Sequence, residues 1–321
     1  MSAELPEVPA GLRALTDREP SWDPWLASLP RLARDVVADW ELVPDGDAMH
    51  GECSLVLPVL AEGRRAVLKL GWPHDEARHE HLALQHWHGD GAVELLRADP
   101  HRWALLLERA GPVDLHALDD VTACETVGGL YAQLHRPALP QVRRLSSLAA
   151  DWAERLSRLP RSAPVPHRLV EQAASLARDL AADGATDRTL VHGDLHFANA
   201  LRSDRGTRDD DAAGGADGTW LVIDPKPLSG DPHVEPAPLL WNRWDEVVAS
   251  GDVRWAVRRR LDAVVDAAGL DRDRARDWSV VRQVVNALWC VEALDRQGRA
   301  LDAGAREWIT RAVTIAKAVQ D

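Results

Sequence analysis

His192-Gly193-Asp194-Leu195-His196-Phe197-Ala198-Asn199 brings an acid, a turn and a carboxamide close together in the chain. Phosphoryl transfer needs a carboxylate that orients the attacking hydroxyl and accepts its proton, and oxygen ligands that hold magnesium on nucleotide phosphates. Asp194 and Asn199 supply these two kinds of group, at the spacing where the acid faces the acceptor and the amide turns back toward a metal. Gly193 permits the tight turn. His192 is expected to brace the loop by hydrogen bonding, and His196 to line the phosphate side. Further on, Ile223-Asp224-Pro225 places a carboxylate at the end of an apolar run, which makes Asp224 the expected second magnesium ligand.

Such groups need rigid supports. Residues 1–40 contain a Pro-punctuated stretch and then one amphipathic helix carrying Leu29, Leu32, Val36 and Val37 at helical spacing. Short alternating stretches follow at Trp40 to Val43, Ser54 to Leu60 and Arg65 to Leu70, separated by Gly-containing turns, and predict an antiparallel meander. Asp75 to His88 lacks Gly and Pro and predicts a helix; Val93 to Leu96 and Trp103 to Glu108 resume strand character. After Gly111-Pro112 the pattern turns helical, at Leu115 to Leu118, Cys124 to Leu134, Leu145 to Leu159 and Leu169 to Ala182. The expected division is a nucleotide-binding lobe over residues 1–110 and a catalytic and substrate-binding lobe over 111–321. Ala200-Leu201 and Trp220 to Ile223 resemble the arms of a hairpin, whose tip, Ser203 to Thr219, is rich in Gly, Asp and Arg and predicts a solvated connection. Several helices carrying many of the tryptophans fill the remainder.

Composition excludes other classes. A formal charge of −13 and few clustered Lys or Arg disfavour a nucleic-acid surface and favour a small cationic partner. No run approaches the ~20 apolar residues that span a bilayer, and the first residues show no secretory signal, so a cytoplasmic protein is expected. Cys53, Cys124 and Cys290 are too widely separated for a metal motif and read as reduced thiols.

The chain resembles the aminoglycoside phosphotransferase superfamily of protein-kinase-like small-molecule kinases, and within it the streptomycin 6-phosphotransferase and hydroxyurea kinase group. The residues that carry the resemblance are Ala66 to Pro73, Trp87 to Val93, Leu106 to Arg109, His192 to Asn199, Ile223 to Lys226 and Leu240 to Arg243. It implies an α+β, two-lobed fold, with an antiparallel sheet and a helix in the N-terminal lobe and a larger, mainly helical C-terminal lobe. It also implies ATP and Mg2+ as cofactors and a small-molecule hydroxyl as acceptor. By the same resemblance Lys69 contacts the nucleotide's α- and β-phosphates, and Glu80 holds that lysine in an ion pair, with Glu76 as rival on the same expected helix. Glu108, Arg109 and Ala110 form the hinge whose backbone binds adenine. The hairpin over the phosphates is poor in glycine at Asp47 to Ser54, leaving backbone amides and Ser54 to meet them. Pro225-Lys226 stands where protein kinases carry Phe-Gly, which implies no regulatory switch and constitutive activity.

On the acceptor side, Asp231 to Asp252 is the expected wall. Asp231, Glu235, Asp245, Glu246 and Asp252 there face only Arg243, so carboxylates could pair with ammonium or guanidinium groups. Trp241 could stack on a sugar or guanidino group, and Asn242, a carboxamide in an apolar run, could give a polar contact. The leading expectation is an aminoglycoside acceptor and a resistance role. The alternatives are hydroxyurea, a sugar or another metabolite, and a catalytically silent binding module.

Overall fold

The computed structural model describes residues 7–14, 22–205 and 219–320. Helix α1 (Ala10–Arg13) precedes α2 (Asp23–Asp39), which opens with a proline in its first turn. Strands β1 (Val43–Pro44) and β2 (Met49–His50) lead to β3 (Ser54–Ala61) and β4 (Arg64–Gly71). The β3–β4 turn has Glu62 and Gly63 both at positive φ, 50° and 81°, as a tight two-residue hairpin requires.

Helix α3 (Glu80–Trp87), β5 (Leu95–Asp99) and β6 (Ala104–Glu108) follow, and the antiparallel sheet runs in the order β1-β3-β4-β6-β5, with β2 also on β3. Strand periodicity sends Leu55, Leu57, Val59, Ala66, Leu68, Leu70, Ala104 and Leu106 to one face. There they form a single core with Leu29, Ala33 and Val36 of α2. Ser54, Val56, Val67 and Lys69 therefore belong to the opposite face.

The structure alters three local expectations. Trp40 caps α2 instead of opening a strand. The helix expected from Asp75 begins only at Glu80, because Ala77 is the sole apolar residue in the preceding stretch and no apolar stripe exists there to bury. Ala92 and Val93 lie outside β5 and bond to Val222 instead.

In the second half, α4 (Asp120–Leu134), β7 (Arg136–Pro137), α5 (Leu145–Arg158) and α6 (His167–Ala182) lead to β8 (Thr189–Val191). A 3-10 turn at Leu115–Ala117 replaces the first expected helix. The expected hairpin forms as β9 (Ala200–Arg202) against β10 (Trp220–Val222). Its tip at residues 206–218 lies outside the described residues. Strand β11 (Leu228–Gly230) joins β8 and β7 in an antiparallel sheet. The chain closes with α7 (Ala237–Trp241), α8 (Trp244–Ala249), α9 (Val253–Ala268), α10 (Arg272–Arg296) and α11 (Ala303–Ala318). Asp119, Asp252, Asp271 and Asp302 cap α4, α9, α10 and α11 by accepting backbone N–H bonds.

Two compact units result. One holds the described residues up to Pro112 together with those of Leu201–Lys226, and the other holds Val113–Ala200 and the described residues from Pro227 onward. The chain returns to the first unit at Leu201, which a single linear boundary misses. Physical ties hold it there: Gly111 N–H donates to the Arg202 carbonyl at 2.8 Å, and Val222 N–H to that of Gly91 at 2.9 Å. Among the described residues no helix is long and apolar enough to cross a membrane.

Candidate active site

Lys69 sits on a central strand, paired with Val56 of β3 and Leu105 of β6. Its ammonium donates to both Glu80 oxygens, at 2.6 and 2.8 Å, and to Asp224 Oδ1 at 2.6 Å. These bonds use all three lysine donors. Burial opposes the charge on Lys69, but the carboxylates of Asp224 and Glu80 outweigh it, and its pKa lies above the ordinary lysine value. Burial also pushes the Glu80 carboxyl up, against the pull of Lys69. The two shifts favour different proton placements. The Glu80 carboxylate, bonded through both oxygens to the Lys69 ammonium, forms a charged pair. Glu76 precedes α3, so it is not on the helix it was expected to share with Glu80.

Asp224 takes its place through its own backbone. It follows β10, which is fastened to the segment after α3, and adopts φ 56°, a left-handed conformation that Asp tolerates better than most residues. Glu80 and Asp224 therefore reach Lys69 from two ends of one bonded substructure. A cavity of this unit is lined by Ser54, Cys53, Lys69, Glu80, Asp224 and Lys226, among others. Ser54 lies at the base of the β2–β3 hairpin, whose turn is closed by Gly51 N–H donating to the Ser54 carbonyl at 3.0 Å.

The side chains of the expected hinge serve the fold. The Glu108 carboxylate accepts two bonds from Arg205, at 2.6 and 2.5 Å, and one from Glu94 N–H at 3.0 Å. Arg109 donates to Asp45 and to the carbonyls of Ala66 and Val59. Their side chains are thus committed within the lobe.

In the second unit β8 delivers the His192 to Asn199 loop. Gly193 takes φ 80° at its turn. His192 is fully buried, and its Nδ1 accepts from Asp194 N–H at 3.3 Å, so it braces the loop. Asn199 Nδ2 donates to the Asp194 carbonyl at 2.9 Å, which orients the amide with Oδ1 as its acceptor atom. His196 contributes its carbonyl to Asn199 N–H at 2.9 Å, entering the 3-10 turn Phe197–Asn199.

Several residues expected on an acceptor wall prove to be supports. Glu235, 1% exposed, accepts from His192 N–H at 2.6 Å and Gly193 N–H at 3.1 Å, so its carboxylate holds the loop from beneath. Tyr131 Oη donates to the Glu235 carbonyl at 3.0 Å. Asp231 accepts from His233, from Trp278 Nε1 at 2.7 Å and from Arg274 at 2.6 Å. Burial would raise the Asp231 carboxyl, yet these bonds hold it down at about 2. Glu246 pairs with Arg243, and Asp252 caps α9. Asn242 Nδ2 turns back to the Pro238 carbonyl at 2.9 Å. Trp241, with Trp152 and Trp289, surrounds the chain's own Arg282 guanidinium. Of the expected acceptor residues, Asp245 and Glu246 are exposed at the start of α8.

Sequence reasoning missed the clamp on Phe197. This fully buried ring lies 5.3 Å from the Arg243 guanidinium and 5.7 Å from that of Arg260, with His116 edge-on. Arg260 is itself buried and donates to Asp120 and to the carbonyls of Leu239, Asn242 and Arg243. One available signal was composition, since Phe197 and Tyr131 are the chain's single Phe and single Tyr.

The donor chemistry suits magnesium on a nucleotide. Among the described residues no three His, Cys, Asp or Glu converge as a metal cage. Magnesium bound through phosphates takes only one or two protein oxygens. Asp224 in the first unit and Asn199 in the second each carry an oxygen of that kind.

Comparison with known proteins agrees with this chemistry. The chain is 38% identical over 301 residues to streptomycin 6-kinase of Streptomyces glaucescens, covering 91% of this chain and 93% of that one. It is 37% identical over 304 residues to hydroxyurea phosphotransferase of Kitasatospora aureofaciens, covering 90% and 80%. In fold it is similar to choline kinase LicA from Streptococcus pneumoniae, with a TM-score of 0.58 at 14% identity over 90% of this chain and 99% of that one. A sequence model described as Aminoglycoside/hydroxyurea antibiotic resistance kinase matches residues 39–293, and the chain belongs to that family.

Proposed function

We propose that this chain is an ATP- and Mg2+-dependent kinase that phosphorylates a hydroxyl of a cationic aminoglycoside of the streptomycin type and thereby inactivates it. The observation that carries phosphotransfer is Lys69 held between Glu80 and Asp224. The 38% identity to a streptomycin 6-kinase supports the acceptor class.

In this reading Lys69 meets the nucleotide phosphates while Glu80 keeps it in place. A phosphate oxygen competes with Asp224 for a lysine donor, and Asp224 and Asn199 are the residues whose oxygens would hold magnesium. Magnesium, when bound, neutralises charge on the phosphates. Asp194 orients the acceptor hydroxyl and takes its proton as the new oxygen–phosphorus bond forms. The bond from the γ-phosphorus to the bridging oxygen breaks, and ADP leaves. The residues' main contribution is positioning and charge, since phosphoryl transfer demands little covalent chemistry from a protein. Asp245 is the proposed carboxylate contact for an acceptor cation.

ADP release measured across streptomycin, other aminoglycosides, hydroxyurea and simple sugars, with Asp194→Asn as blank, tests the proposal. Streptomycin-dependent release that vanishes in Asp194→Asn is expected. Release with hydroxyurea alone would replace the acceptor, and none with any acceptor would defeat the enzyme.

A further inference from the structure

We infer that Lys226 is a second phosphate-contacting cation of the nucleotide site, placed to meet the terminal phosphoryl group. The inference rests on the phosphotransferase reading above.

Asp224 turns through a left-handed conformation, and Pro225 then fixes its own φ and removes an N–H, so the chain leaves the turn along one course. Pro225 is buried, whereas Asp224 and Lys226, two residues apart, line the same cavity. That cavity also contains Glu52, Cys53 and Ser54 of the β2–β3 hairpin and turn, together with Lys69. Lys226 thus shares one enclosure with the hairpin expected to cover the phosphates and with the lysine expected to contact them.

Charge supplies the second step. All three donors of Lys69 are engaged by two carboxylates, and Glu52 adds another acid to the lining. A nucleotide triphosphate entering such an enclosure needs further positive charge close to its terminal phosphate, where charge shifts during transfer. Lys226 meets that need, and its field already extends through the cavity. It opposes the burial that pushes the Cys53 thiol up to about 11. Arg78 also lines the cavity, but its guanidinium is 65% exposed and lies 3.9 Å from Asp75. Protein kinases place Phe-Gly after the corresponding aspartate and have no cation there. This chain thus carries on its metal-ligand turn a charge that those kinases lack.

The test separates terminal from shared phosphates. Calorimetry with Mg2+ would measure the affinities of ADP and of a non-hydrolysable ATP analogue for wild type, Lys226→Met, Lys226→Gln and Lys226→Arg. Lys226→Met is expected to weaken the ATP analogue about tenfold and ADP less than twofold, as for one lost charge-assisted contact. Turnover should fall on the order of a hundredfold, and Lys226→Arg should recover most of both. Equal weakening of the two nucleotides, or no weakening of either, would overturn the inference. So would loss of folding in both Lys226→Met and Lys226→Gln, which would make the residue structural. The affinity ratio needs no acceptor, so wild type that binds nucleotide but phosphorylates nothing offered would defeat the acceptor assignment separately.

Discussion

Glu235 holds the His192 backbone: its Oε1 accepts the His192 N–H at 2.6 Å, and its Oε2 takes the next N–H at 3.1 Å. A buried carboxylate satisfied by two backbone donors makes the approach to Asp194 rigid without touching a substrate. Rigid placement is what a reaction dominated by positioning demands. Glu235→Ala leaves one buried and one part-buried N–H group without acceptors and should cost about 2–4 kcal/mol of stability. In protein that remains folded, turnover should fall with little change in nucleotide affinity. Thermal unfolding and a kcat against KM comparison check this, and Glu235→Gln, which keeps one acceptor, should fall between.

The Lys69 site separates two glutamates that lie four residues apart in sequence. Glu80→Gln removes the bidentate partner of a buried ammonium, and nucleotide-dependent turnover should fall by about 10- to 100-fold. Glu76→Gln should stay within about twofold of wild type. Parallel steady-state kinetics decides, and equal losses would remove the special status of Glu80.

Asp231 predicts an acid sensitivity of folding. Its folded pKa of about 2 lies below the ordinary value of 3.8, so the folded state binds its proton less readily than the unfolded chain. The associated stability, about 2 kcal/mol, is present above pH ~4 and is lost as pH falls toward 2. Asp231→Asn should lower stability at pH 7 and flatten this part of the curve. Urea unfolding of both proteins between pH 2.5 and 7 measures the difference, and parallel curves would refute the assignment.

Phe197 offers a test of loop support without a charge change on the loop itself. Phe197→Leu keeps an apolar filling but loses the ring between Arg243 and Arg260. A loss of about 1–3 kcal/mol is expected, with a larger fall in kcat than in nucleotide affinity. Unchanged kcat in a destabilised protein would show that the clamp serves folding alone.

Much of the site could be read along the chain because its chemistry is local. Asp194 and Asn199 lie within one turn, and the amide of Asn199 bonds the backbone of Asp194 itself. The β3–β4 hairpin was likewise readable, since alternation and a Glu62-Gly63 turn are short-range signals. Local pattern also misled. Asp75 to His79 has helix-compatible residues but no apolar stripe, so the helix begins at Glu80. The acidic run after Asp231 suggested a cation-binding wall, yet the acids there are largely taken up by a loop anchor, a Trp278–Arg274 network, an ion pair and a helix cap.

By itself the sequence determined the reaction, because the types and spacing of Asp194, Asn199, Lys69 and Asp224 name their chemistry wherever the chain carries them. Tertiary structure decided which of the candidate side chains are engaged within the fold. Glu80 and Asp224 are separated by more than a hundred residues and meet on one ammonium, and Glu235 reaches back beneath His192. A carboxylate's role depends on the donors it meets and the water it loses. Partners so distant along the chain are brought together only by packing.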